Sequence, residues 1–476
     1  MLDLFSSIKH QRKMDANGVS VYALRFLCVA SPAQFASCLE MLLTRTELCR
    51  EQCINGFVKG KGTTTPLVSE LRSIMPLPAL LQIADVLVAN QINSWVNGVL
   101  PCPRSCFEGA VKYTQPLDIA HGLALAIERG LDDRSHLAIA QADIRQYYDS
   151  LDVPALAWWL YLEGLNIAWT SAIVRLQMVP AINLRTGEET ACVTDRTSGS
   201  LTGSRVAGAL GRIPVLQVLE QRAPLWEAVG YQTDSALTVA TFVDNLYAVS
   251  SNILNAADIM EDLELHLANT WGLKIKATSR AVLMAAGRPV PEIHDLQKWP
   301  VRDVFPVLGH RLDNRGSAWP CWEATKRSMW GAFYKTCGSQ ACRRLPMKMK
   351  MRTLKRCVLP VCEFRCTRWP SHLLLKSFVA PPLAQRNIIS FAGCSWILRI
   401  SEYLMVSNVT NVMSQIALWM AVEPKTPPRK KGTHVDGSKG ESAKRVLCPT
   451  DRHHNPFDTR ESEWLGDPRC SCEYPK

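Results

Sequence analysis

The sequence predicts an α+β protein in which short strands end in acidic residues and long helices surround them. Three stretches predict it. HLAIAQADI (136–144) alternates enough to be a strand ending at Asp143, and VPALAWWLYLEGL after it returns to a helical pattern. ATFVDNLYAVSS (240–251) has apolar residues running up to Asp244-Asn245 and away from it, the outline of a β-hairpin with its acid at the tip. From about 320 to 420 the chain reads as helical and basic.

The remaining elements follow in order. Residues 19–55 read as apolar, mostly helical material, followed by a basic, Gly-rich link, FVKGKGTTTP (57–66), and by LRSIMPL (71–77). Leu80, Ala84, Leu87, Gln91 and Trp95 recur about one helical turn apart, and 117–129 reads as another helix. TSGSLTGSRVAGALG (197–211) is rich in Gly and Ser and then becomes helical. Residues 255–271 predict a further helix, and LKIKATSRAVLMAA (273–286) a strand or strand pair. In MKMKMRTLKRCV (347–358), Met347, Met351, Leu354 and Val358 share one helical face, while Lys348, Arg352, Lys355 and Arg356 share another. One face is expected to pack and the other to meet phosphate or simply solvent. After about 423 the composition turns polar, with paired prolines and a charge run, which predicts a disordered basic tail.

Bulk properties set bounds. At 476 residues, two to four subdomains are expected, and 47% hydrophobic residues suffice for a sizeable core. The net charge of +11 fits a polyanionic partner. The 17 cysteines are scattered, many in apolar runs, which fits reduced thiols in a nuclear or cytoplasmic protein. MLDLFSSIKHQRKMD turns charged too early for a signal peptide, and the longest apolar runs are too short to span a bilayer, so no membrane partner is expected.

An aspartate at one strand end is an ordinary turn or cap residue. Two of them, Asp143 and Asp244, about a hundred residues apart, become meaningful if the strands are neighbours, because hard cations take oxygen ligands from one or two carboxylates plus substrate phosphates. QADIRQYYDSLD, GSLTGSRVAG (199–208), FVDN, WGLKIKATS (271–279), VFPVLGHRL (304–312) and VLPVCEFRCTRW (358–369), preceded by KGKG and LRSIMPL, then fall in one order. In that order they resemble the motifs of a reverse transcriptase of the non-LTR (LINE-type) retrotransposon kind, over roughly residues 55–400.

The resemblance implies a right-hand polymerase: an N-terminal helical extension (1–54), fingers and palm (55–290), a primer-grip turn and helical thumb (291–422), and the tail (423–476). It implies RNA-templated DNA synthesis with two Mg²⁺ ions, Mn²⁺ being a substitute, and as partners an RNA template, a DNA primer and deoxynucleoside triphosphates. Asp143 and Asp244 would be metal ligands, with the Ile144 carbonyl assisting and Asn245 beside them. Tyr148 would lie under the incoming sugar and clash with a 2′-hydroxyl; its bland alternative is a core tyrosine. Lys59, Lys61 and Arg72 would neutralise the triphosphate, Gly199 and Gly203 would admit the base or nucleotide, and Thr202 stands where the family has glutamine. Lys348, Arg352, Lys355 and Arg356 would contact nucleic acid.

Departures from the pattern define the open question. Asn245 replaces the usual second aspartate, removing a charge and weakening cation binding. Ser279 occupies the usual lysine position, with Arg280 beside it, and Ser73 the usual proline. The alternative reading is a catalytically inactive relic that still binds nucleic acid. An unrelated protein with chance matches is a third, which widely separated Asp143 and Asp244 would select. THVDGS (433–438), PPRKKG (427–432) and the Cys448, His453, His454, Cys470, Cys472 set are weaker signals.

Overall fold

The computed structural model describes residues 2–361 except 9, 16, 60–71, 187–188, 194–195, 232–236, 286–297, 318 and 338–339. The elements are α1 (Leu2–Ser6), α2 (Val21–Ala30), α3 (Pro32–Thr44), α4 (Thr46–Glu51), β1 (Ile54–Lys59), β2 (Arg72–Ile74), α5 (Ala79–Val99), β3 (Cys106–Glu108), α6 (Pro116–Asp132), β4 (Ala138–Asp143), α7 (Tyr147–Ser150), α8 (Val153–Leu162) and α9 (Ile167–Met178). They continue with β5 (Ile182–Thr186), β6 (Glu189–Val193), α10 (Arg205–Trp226), β7 (Val239–Phe242), β8 (Asn245–Ser250), α11 (Ile253–Trp271), β9 (Ala281–Met284), β10 (Val304–Val307), β11 (His310–Asp313), α12 (Trp319–Thr336), α13 (Gln340–Arg343) and α14 (Met347–Cys357). The α+β class is therefore observed. The chain divides into two units, Met1–Leu308 with Leu312–Ser317, and Gly309–Arg311 with Ala318–Lys476.

The first unit is built on a five-stranded sheet of order β3-β7-β8-β4-β9, antiparallel except where β3 runs parallel to β7. Strand alternation sorts its residues between two faces. Ala138, Ala140 and Ala142 of β4 join Leu246 and Ala248 of β8 in a core shared with α5, α10 and α11. Ile139, Tyr247 and Val249 turn the other way, into a second core with Ile119, Leu123 and Ile127 of α6. Small alanines on the first face let the helices approach closely. A second sheet, of order β2-β1-β5-β6, carries the FVK and RSI segments, with Lys59 opposite Arg72.

Local chemistry sets the helix ends. Ser204 caps α10 by accepting the Ala207 N–H, and Asn252 caps α11 by accepting the Leu254 N–H. The two helices are locked by Asp262, which takes both Arg222 nitrogens at 2.8 and 2.9 Å and the Trp226 indole N–H at 2.9 Å. A strand or strand pair is expected over 273–286; among the described residues of that stretch Ile275 bridges antiparallel to Ile144, Ala277–Ser279 forms a 3₁₀ turn and Ala281–Met284 forms β9. The turn arises because this segment serves the end of β4 instead of extending a strand.

In the second unit, α14 corrects the expected packing face. Leu354 and Val358 are buried, but Met351 is 39% exposed. The inward stripe passes instead through half-buried Lys350 and Thr353 beside Leu354. Lys348, Arg352, Lys355 and Arg356 are all exposed, and the side chain of Met347 lies outside the described residues. The final residues of VLPVCEFRCTRW, most of the expected thumb and the whole tail also lie outside them. No helix among the described residues is long and apolar enough to cross a membrane.

Candidate active site

Backbone pairing brings the two aspartates together. Asp143, the last residue of β4, stands opposite Asn245, the first residue of β8, and the Ile144 N–H donates to the Asp244 carbonyl at 2.8 Å. Directly opposed residues on antiparallel strands have Cα atoms about 4.5–5.5 Å apart. Asp244 is therefore one peptide from the partner of Asp143. Both carboxylates also act on one side chain: burial raises the Tyr247 hydroxyl above the usual phenol range, and the charges of Asp143 and Asp244 raise it further. Ile144 is buried.

The turn that carries Asp244 is tight. Phe242 pairs with Asn245, leaving Val243 and Asp244 as the two-residue tip. Val243 has φ +58°, a left-handed conformation that β-branched residues adopt only under constraint. Asn245 donates from Nδ2 to Asp244 Oδ1 at 2.8 Å. Its amide thus fixes the orientation of the neighbouring carboxylate, where a second aspartate would repel it.

The opposite flank of Asp143 is held by the WGLKIKATS segment. The Asp143 N–H donates to Ser279 Oγ at 2.9 Å, Ser279 Oγ donates to the Lys276 carbonyl at 2.6 Å, and the Lys276 N–H donates to the Asp143 carbonyl at 2.8 Å. Ser279 is thus a backbone clamp for Asp143. Arg280 pairs with both oxygens of Glu264 at 2.6 Å and lies over the Trp299 ring. Lys274 and Lys276 are exposed.

Tyr148 is half-buried on the next turn. Burial raises its hydroxyl, and the charge of the Asp244 carboxylate adds to the shift. The Tyr148 carbonyl accepts the Ser200 N–H at 2.8 Å, which ties the glycine loop to it. Gly199 has φ +80°, and a Cβ there would lie 3.1 Å from the Asp149 carbonyl oxygen. Gly203 has φ +97°, and its nearest neighbour in the direction of a Cβ is the Met75 carbonyl oxygen, just past LRSI. Thr202, half-buried, lies between them. Lys59 and Arg72 pair through their backbones, but their side chains and Lys61 lie outside the described residues.

Two residues that sequence reading missed anchor this loop. Gln177, fully buried in α9, donates to Ser204 Oγ at 2.8 Å and accepts the Leu201 N–H at 2.9 Å. Asp85, buried in α5, accepts the Ser204 hydroxyl, the Arg205 N–H at 2.6 Å and the Val206 N–H at 3.3 Å. It caps the 22-residue α10 from a neighbouring helix. The signal was a lone acid within the apolar run IADVLV, and a lone glutamine within RLQMVPAI. A third cluster, in which the buried Arg212 reaches Glu108, Asn93 and Asn97, joins α10 to β3 and α5.

The donor set can be tested against a divalent cation. Among the described residues, no group of three or more His, Cys, Asp or Glu side chains is placed to hold a metal. A cation at this junction would therefore rest on two carboxylates, a backbone oxygen and the phosphates of its substrate. That set fits Mg²⁺, which keeps few protein ligands and much of its water.

No protein-family model matches the chain, nor does any curated protein sequence. Solved structures resembling it include apo telomerase from Candida tropicalis truncated from its C-terminal domain, at 14% identity and a TM-score of 0.36, covering 54% of this chain and 53% of that one. Telomerase from Candida albicans in complex with the TWJ fragment of telomeric RNA resembles it at 11% identity and a TM-score of 0.39, covering 79% of this chain and 63% of that one. The chain thus spans less than two thirds of either. At these scores the two likenesses carry no argument about fold family or activity.

Proposed function

We propose that this chain is a reverse-transcriptase-like nucleotidyltransferase that extends a DNA primer on an RNA template. In this reading the five-stranded sheet is the palm, the β2-β1-β5-β6 sheet belongs to the fingers, and the second unit is the thumb. One observation carries it: the pairing of Asp143 with Asn245 and of the Ile144 N–H with the Asp244 carbonyl, which sets two carboxylates at one strand-end junction.

Each residue then has a task. Asp143, Asp244 and the Ile144 carbonyl would hold paired Mg²⁺ ions, whose chemistry when bound would be activation of the primer 3′-hydroxyl and stabilisation of the leaving pyrophosphate. The Asn245 amide keeps Asp244 in one orientation. Tyr148, beside Asp244, limits the room for a 2′-hydroxyl and so favours deoxynucleotides. Gly199 and Gly203 let the backbone approach the base, and Lys59, Lys61 and Arg72 meet the triphosphate. The exposed Lys348, Arg352, Lys355 and Arg356 meet the nucleic-acid backbone.

The test is primer extension on an RNA template with Mg²⁺ or Mn²⁺, comparing the wild type with Asp244→Ala and Asn245→Asp. The expected result is extension by the wild type that Asp244→Ala abolishes. Equal inactivity of both under both metals, with salt-dependent binding retained, overturns catalysis and leaves a nucleic-acid-binding relic.

A further inference from the structure

We propose that the loop Gly109–Gln115 is a docking platform for single-stranded nucleic acid, with Tyr113 stacking on a base and Lys112 meeting the adjoining phosphate. The choice of occupant rests on the polymerase reading above. The geometry starts at the sheet edge. β3 is its outermost strand and runs parallel to β7, with Glu108 opposite Thr241. The Gly109 N–H donates to the Thr241 carbonyl at 2.8 Å, and a Cβ on Gly109 would come within 2.8 Å of the Phe242 ring. The loop therefore leaves the sheet where β7 ends, two residues before Asp244. Ala110 and Val243 line the same small cleft against Gly208 and Gly211 of α10.

The loop is rigid. The Thr114 hydroxyl donates to the Gly109 carbonyl at 2.5 Å and accepts the Val111 N–H at 3.1 Å. The Gln115 N–H donates to Asp118 at 2.7 Å, which fixes the start of α6. On this frame Tyr113 has φ +75°, an unfavoured backbone for a residue with a side chain, and it is 88% exposed. The Lys112 ammonium lies 4.9 Å from its ring centroid. Burial does not account for an aromatic held this way; a stacking surface does. An aromatic with a cation at its rim is how sequence-tolerant single-strand sites are built. Four residues of chain keep Tyr113 within about 14 Å of Gly109, whose N–H is bonded to Thr241, three residues before Asp244.

The experiment titrates a fluorescein-labelled, unstructured 20-mer of RNA or DNA into the full chain, read by anisotropy at several salt concentrations. Tyr113→Ala is expected to weaken binding about tenfold and Tyr113→Phe to leave it unchanged. Lys112→Ala is expected to lower the salt slope by about one. An oligonucleotide carrying 5-iodouracil is expected to crosslink to Tyr113. Wild-type affinity and slope in Tyr113→Ala and Lys112→Ala, without a crosslink in the loop, overturn the platform. The two readings fail separately: lost binding in Tyr113→Ala with no extension by the wild type sinks catalysis alone, whereas normal extension with unchanged binding sinks the platform alone.

Discussion

The carboxylate junction and the glycine loop beside it are held by different means. At the junction, Asp143 and Asp244 are placed by strand register and by backbone hydrogen bonds to Ile144 and Lys276. At the loop, Gly199–Gly203 is placed by side chains reaching in from α5 and α9, those of Asp85 and Gln177. A change of the Asp143 or Asp244 side chain therefore leaves the strand register in place, although the Ser279 hydroxyl also holds the Asp143 N–H. A change at the loop's anchors alters the fold first and chemistry as a consequence.

That contrast can be broken most sharply at Asp244. Asp244→Ala is expected to lower primer extension by about 10³-fold, because on the proposed reading it removes a metal ligand and with it several kcal/mol of stabilisation. Its urea midpoint should fall by much less than that of Asp85→Ala, since the Asp244 carbonyl still accepts the Ile144 N–H and the half-buried side chain gives up the Asn245 amide bond. Asp85→Ala should do the reverse. Stripping three donors of a buried acceptor is expected to destabilise the fold by about 3 kcal/mol, read as a fall in the urea midpoint. Gly199→Ala comes next, at about 1–2 kcal/mol, because the alanine must keep a left-handed backbone against the Asp149 carbonyl. Val243→Gly has the opposite sign: relieving the strained turn should stabilise by about 1 kcal/mol.

The smallest effect is one of pH. Burial alone would raise the Asp262 carboxyl, but the Arg222 and Trp226 donors outweigh it and hold its pKa below the usual carboxylate value. A carboxyl depressed in the folded state adds stability that is present above its unfolded pKa and is lost as pH falls through the folded one. Thermal melts from neutral pH downward should lose this contribution only below about pH 4, and Asp262→Asn should flatten the curve there.

The legible part of this molecule was its local pattern. Alternation and apolar runs marked β4 and the β7–β8 hairpin, and Gly with Ser marked the loop before α10. What was not legible depended on partners distant in sequence. Ser279 looked like a missing lysine and is the clamp on the Asp143 N–H, 136 residues away. Asp85 reads as an isolated acid until Ser204, 119 residues later, is seen against it. Met351 was assigned inward by helical spacing, yet α14 turns its Lys350–Leu354 side toward its neighbours. Periodicity gives a helix's faces but not which neighbour sets their rotation. Asn245, the first residue after the hairpin tip, reads in the sequence as lost charge; its amide also orders the remaining carboxylate.

The central claim is that Asp143 and Asp244 form one cation site. Titration of Mn²⁺ into the full chain, followed by the loss of its free-ion paramagnetic resonance signal, tests it directly. Saturable binding is expected, lost in both Asp143→Asn and Asp244→Asn and tightened in Asn245→Asp. Unchanged binding in the two single variants would contradict it.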